Sequence, residues 1–273
     1  MVKLLGLLCV SALAASVFAG DGGDGFMLAF TILPLLRTDE ASDDATAEEG
    51  ARALFERYAA DICITIDEVS HIYNRTLVAL FRQNTRVLRD MTHRTARLCR
   101  EAEARRRAGV ALHRNGPADL RAWLFGTRAT IYLAEVCEAL DRIVRPACEH
   151  VERGAGALSK EQTVALMRLN DAVDGMTHKV TEALSDNSPS DDSSAEGLAR
   201  VRRQRKAVLE CVDEYTREQI LRGGDDEGAA TDLLFLTLLG ETKTLTLRMS
   251  NLLKVKRYSL HACDGDGAWD DNA

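Results

Sequence analysis

Aromatic residues make up only 5% of this 273-residue chain, and there are just four prolines. Sheets draw their strands from Val, Ile, Tyr, Phe, Trp and Thr, and their turns from Pro and Gly. No stretch here has that alternating texture. Ala, Leu, Glu and Arg are plentiful instead, and they favour helices. Positive charge is not in excess either. The net charge of -7 argues against a general nucleic-acid binder, whose affinity comes from cancelling phosphate charge. The seven cysteines, at 9, 63, 99, 137, 148, 211 and 263, include no Cys-x-x-Cys pair. Cys137 and Cys148 fall about three turns apart on one expected helix, out of each other's reach. An odd, scattered set reads as small buried side chains in a reducing compartment, not as a disulfide framework or a zinc site. No Gly-rich phosphate loop and no nucleophile–His–Asp grouping is present, so no enzyme is expected.

What is present begins with an apolar leader. Lys3 is followed by LLGLLCVSALAASVFA, with Val17 and Ala19 in small-residue cleavage positions. The pattern fits a signal peptide, cleaved near Ala19, or a short membrane anchor. A second apolar piece, Phe26 to Leu36, is too short to span a bilayer and is broken by Pro34 as a helix. We read residues 1–37 as leader and 38–48 as an acidic linker. Residues 49–257 form a helical domain with halves 49–152 and 159–257, and 258–273 form a disordered tail.

Within 49–257, apolar residues recur at helical spacing six times. The expected helices cover about 47–82, 85–113, 118–152, 160–185, 194–222 and 231–257. Thr46 with Glu49, Ser159 with Gln162, and Ser193 with Glu196 have capping-box spacing. Asn115-Gly116-Pro117 and the run SDNSPSDDSS mark breaks. Pro146 should kink the third helix or loosen its last turns. The sixth helix carries the clearest seam. Leu238, Leu245 and Leu252 repeat every seven residues, and Phe235, Thr242 and Met249 stand three positions before each. Gly240 and Glu241 interrupt it. The fold class is all-α: six long helices in two sets of three, joined by short polar breaks that favour antiparallel neighbours.

Three constellations have chemical content. Glu68-Val-Ser-His71 has the Glu-x-x-His spacing of di-iron bundles, which need a second such pair. The nearest, Asp174 with His178, has i,i+4 spacing and the opposite order. The arginine-rich second helix could grip phosphate groups, but Asp90, Glu101 and Glu103 dilute it, and a solvated, ion-paired face is its plainer reading. Asp141 and Glu241 each place an acid on the last helix of a three-helix set. Carboxylates on facing helices can hold a divalent metal, and the alternative is pairing with a nearby Arg or Lys. Asn74-Arg-Thr76 is a glycosylation sequon in mid-helix, of use only to a secreted eukaryotic chain.

Three segments carry a family resemblance: FERYAADICITIDEVSHIYNRTLVAL (55–80), VRPACEHVERGAGALSKEQTVALMRLNDAV (144–173) and LLFLTLLGETKTLTLRMSNLLKVKR (233–257). They resemble the soluble tail of bacterial inorganic phosphate transporters of the Pit type, a tail that is itself similar to PhoU. The resemblance spans about 49–257 and implies a six-helix, two-repeat bundle. It also implies metal clusters held by a Glu/Asp-x-x-x-Asp motif on the third and sixth helices. Here the matching positions read Asp141 to Arg145 and Glu241 to Leu245, so each second acid is replaced. The implied role is a regulatory module that senses or gates a phosphate transporter at the cytoplasmic face of the membrane. Such a chain builds no helical pore itself. The implied partners are the transporter's membrane domain and a second copy of the chain, without nucleic acid. The alternatives are a secreted or anchored helical-bundle binding protein and, more remotely, a metal-binding helical oxidase. No cofactor is firmly expected. Glu241 is expected to be a leftover of the motif or a partner for Lys243 or Arg248, rather than a ligand.

Overall fold

Every described residue that belongs to an extended element is helical in the computed structural model, which describes residues 44–113, 120–185, 191–222 and 228–261. The helices are α1 (Asp44–Phe81), α2 (Thr85–His113), α3 (Leu120–Glu152), α4 (Lys160–Ser185), α5 (Asp191–Arg222) and α6 (Ala229–His261). Among the described residues there is no strand. The chain divides after Thr46, and residues 47–273 form one compact unit. The leader, most of the acidic linker, the Asn115-Gly116-Pro117 break, residues 186–190 and the tail beyond His261 lie outside the described residues.

Two starts differ from the capping signals. α1 begins at Asp44, ahead of Thr46, and α5 at Asp191, ahead of Ser193. Acids and alanines around each start favour a helix N-terminus and carry the first turn past the expected cap. The third box holds. Ser159 Oγ accepts the Gln162 N–H at 3.1 Å, and Gln162 Oε1 accepts the Ser159 N–H at 2.9 Å. α3 runs through Pro146 to Glu152. Ala147, Cys148 and Val151 are buried around the proline, so packing holds the turns that the missing N–H weakens. α6 continues past Arg257 to His261.

Two helix ends share one chemistry. After α1, the Asn84 N–H bonds to Ala79 O and the Gln83 N–H to Leu80 O, with Gln83 left-handed at φ 51°. After α3, the Ala155 N–H bonds to His150 O and the Gly154 N–H to Val151 O, with Gly154 at φ 65°. Both are Schellman ends, in which a left-handed residue lets two amides reach back to orphan carbonyls.

Polar contacts give the order of packing. α2 lies on α1 through Arg94 to Glu68, and on α3 through Arg89 to Glu152. α5 lies on α4 through Gln204 Nε2 to Ala172 O, and on α6 through Lys243 to Asp213. Between these outer helices, α1 and α3 of the first set face α4 and α6 of the second. The core runs through all six helices, from Ile62 to Val255. The α6 seam is its middle: Phe235, Leu238, Thr242, Leu245, Met249 and Leu252 are all buried. Leu234, Leu239, Thr246 and Leu253 are buried as well, so α6 is covered on most sides and packs against both sets.

Four buried threonines sit inside this apolar layer with their hydroxyls met. Thr76, Thr95, Thr177 and Thr246 each donate to the carbonyl four residues earlier, at 2.7–2.9 Å. Gln162, also buried, donates from Nε2 to Gln219 Oε1 at 3.2 Å and Asp232 Oδ1 at 2.7 Å, tying the start of α4 to α5 and α6.

Candidate functional site

The third helix of each set meets the other along a charged seam. Arg142 Nε donates to Glu241 Oε2 at 2.8 Å. In the opposite sense, Arg248 Nη1 stands 3.0 Å from Glu135 Oε2, an ion pair whose angle makes no hydrogen bond. The two pairs are reciprocal. Glu135 and Arg142 on α3 match Glu241 and Arg248 on α6 at one common sequence offset. Asp141 is held by Arg145 one turn along its own helix. Glu241 therefore takes its partner from α3, not from Lys243 or Arg248, which serve Asp213 and Glu135.

This seam does not suit the metal that the resemblance implies. A cation there would have to displace two guanidinium groups already neutralising Asp141 and Glu241. Leu245, where a second acid would stand, is fully buried in the core, turned from any exposed ligand set. Among the described residues no three His, Cys, Asp or Glu side chains stand together as a metal-holding group.

Behind the seam lies a polar link through the core. Tyr73 of α1 is buried, and its hydroxyl meets Thr242 Oγ1 of α6 at 3.1 Å. Burial pushes the Tyr73 phenol well above its ordinary range. Among the described residues, the cysteines at 99, 137, 148 and 211 are free thiols. Cys99 Sγ donates to Cys137 O at 3.3 Å. Burial pushes the Cys99 thiol up to about 11 and Cys137 higher still, so both are held as unreactive thiols.

The Glu68-x-x-His71 pair is divided. Glu68 Oε1 accepts both Nε and Nη2 of Arg94, at 3.1 and 2.6 Å, toward α2. His71 instead lines a groove of about 370 Å³ between α1 and α4. The groove is made by Asp67, Ser70, His71 and Asn74 from α1 and by Asp174, Thr177 and His178 from α4. The spacing Asp-x-x-Ser-His on α1 is repeated as Asp-x-x-Thr-His on α4, again at one common offset. The structure thus joins Asp174 and His178 to His71, with Asp67 in place of Glu68. A smaller hollow of about 170 Å³ lies between α2 and α3, lined by Arg89, Thr92, His93, Arg145 and Cys148 with Glu149 and Glu152. Its two arginines are already answered by Glu152 and Asp141. Further along α2, Arg97 meets Glu101, Arg106 and Arg107 share Glu103, and Arg105 donates to Thr65 Oγ1 at 3.2 Å.

No protein-family model and no curated protein sequence matches the chain. Among solved structures, the crystal structure of PhoU from Pseudomonas aeruginosa matches with a TM-score of 0.56 and 18% identity. The match covers 77% of this chain and 99% of that one. The fold is thus that of a PhoU-like six-helix bundle.

Proposed function

We propose that the chain is a non-catalytic, PhoU-like regulatory module associated with membrane transport of inorganic phosphate, acting through protein contact. One observation carries the reading: the two-repeat, six-helix bundle corresponds to nearly the whole of a PhoU chain. The three segments that resemble the tails of Pit-type transporters point the same way. The partner is the membrane domain of a phosphate transporter, with self-association as the other contact, and the helical domain lies at the cytoplasmic face. The metal-dependent chemistry implied for the third and sixth helices has no part in it, because Arg142 and Arg145 already take the acids concerned.

The test is uptake of labelled phosphate in cells of the source organism lacking the gene, with and without the intact chain restored. The proposal expects a severalfold change in uptake at limiting phosphate, reversed by restoration. Unchanged uptake at both limiting and excess phosphate would refute it. The apolar leader favours a second reading, a secreted or anchored helical-bundle binding protein. Recovery of the chain in the medium with its N-terminus after Ala19 would establish that reading and overturn the cytoplasmic one.

A further inference from the structure

We propose that the outer face of α6 is a self-association surface, on which α6 of a second copy packs antiparallel and crosses at Gly240. The inference deepens the self-association named above and rests on that part of the reading alone, so its failure leaves the phosphate-uptake test standing. It starts from the sides of α6. The core takes one side, Glu241 reaches α3 through Arg142, and Lys243 reaches α5 through Asp213. The side left over carries Leu233, Leu236, Thr237, Gly240, Thr244 and Leu247, at the three- and four-residue spacing of a helix seam. None of the six is charged, and Leu233 is 67% exposed and Leu247 37%. Thr237 and Thr244 donate to Leu233 O and Gly240 O on their own helix, at 2.8 and 3.1 Å, so a dry contact over this face leaves neither hydroxyl unmet. A single exposed leucine needs no explanation, but a row of apolar and small side chains along one helix face marks a contact.

Symmetry and charge select a second copy as the occupant. The row is centred on Gly240, with Leu233 and Leu247 each seven positions away. A two-fold contact sets each residue against the mirrored position, so Leu233 of one copy meets Leu247 of the other at both ends. Gly240 leaves open space where a Cβ would stand, so two helices can cross there at an ordinary interaxial distance of about 8–10 Å. Asp232 and Lys243 share one edge of the row. Asp232 lies eight positions before Gly240 and Lys243 three after, so in the antiparallel pair they stand five positions apart across the contact. That is about 7.5 Å along the axis, within reach of a lysine side chain. A parallel pair would instead set Asp232 against Asp232 and Lys243 against Lys243. An anionic bilayer or a nucleic acid finds no cation on the row itself. The row from Leu233 to Leu247 is about 21 Å long. That is short for an interface of standard size, about 1,200–2,000 Å² in all, so the association is weak and concentration-dependent.

The test uses the full chain. Sedimentation equilibrium should show a reversible monomer–dimer equilibrium with a dissociation constant on the order of 100 µM. Leu233→Glu and Leu247→Glu each bring a charge into the contact and should weaken dimerisation about tenfold or more. Helical circular dichroism should be unchanged in both, since both positions are exposed. Ile64→Glu is the control: Ile64 is 67% exposed as well, but on α1, and its replacement should leave dimerisation as it is. Under mild oxidation Gly240→Cys should cross-link to a second copy of itself, because facing Cα atoms at such a crossing come within disulfide reach. Leu233→Cys and Leu247→Cys should cross-link only when the two variants are mixed. The proposal is overturned if the chain stays monomeric up to about ten times the expected constant, or if both glutamate variants dimerise as the parent does. Cross-linking of Leu233→Cys to itself, the mark of a parallel pair, overturns it equally.

Discussion

Replacing Thr242 by valine keeps the shape of the side chain and removes one oxygen from the middle of the bundle. That oxygen is the partner of the Tyr73 hydroxyl, 3.1 Å away, and both residues are buried. The variant leaves a phenol O–H enclosed by apolar neighbours with no acceptor, at a cost of about 1–3 kcal/mol. Tyr73→Phe is the milder change. It removes the phenol oxygen itself, and Thr242 can turn its hydroxyl to a carbonyl of its own helix, as Thr246 does toward Thr242 O at 2.8 Å. Its cost should be nearer 1 kcal/mol. With both changes made, nothing polar is left unmet. The double variant should therefore lie close to Tyr73→Phe, giving a coupling of about 1 kcal/mol or more. Urea unfolding of the full chain, followed by circular dichroism, measures all three against the parent, provided the slope with denaturant stays constant. Because Tyr73 belongs to α1 and Thr242 to α6, the coupling reports contact between the two helix sets. If the double variant loses the sum of the two single costs, or Tyr73→Phe costs more than Thr242→Val, the reasoning is refuted.

Other expected outcomes follow from the same contacts. Arg142→Glu places like charges across the α3–α6 seam and should cost about 1 kcal/mol, while adding Glu241→Arg should recover most of it. Equal loss in the single and reversed double variants, by urea midpoint, would show that the pair does not couple the helices. Gly240 lies in mid-helix with open space where a Cβ would stand, so Gly240→Ala should raise stability by about 0.5–1 kcal/mol; a lower melting temperature would contradict this. Stability should also fall in alkali. Tyr58 is raised from 10.0 to about 12 and Cys99 from 9.0 to about 11, chiefly by burial. A raised acid pKa means that the unfolded chain releases its proton first, so this stability is present below about pH 9 and is lost as pH rises toward 12. The urea midpoint should drop across that window, and Tyr58→Phe should flatten the drop; an unchanged slope in that variant would contradict the assignment.

The helices were legible because their apolar positions keep three- and four-residue spacing, and every position of the Phe235 to Leu252 seam proves buried. The starts of α1 and α5 were less so, because acid- and alanine-rich turns can extend a helix past a nominal cap. The meeting of charges was least legible. Lys243 and Arg248 are sequence neighbours of Glu241, but its partner is Arg142, set by how α3 and α6 are rotated against each other. Periodicity along one helix carries no information on that rotation. The repeat itself does carry some. In two packed copies of one three-helix unit, matching helices can be brought face to face, so polar residues kept at a common offset are those placed to meet. Glu135 and Arg142 recur as Glu241 and Arg248, and they pair reciprocally. Asp67, Ser70 and His71 recur as Asp174, Thr177 and His178, and they share a groove. The di-iron spacing fits Glu68 and not Asp67, one residue away and on a different face. Aligning the two halves against each other, before matching either to an outside template, picks out Asp67 from sequence alone.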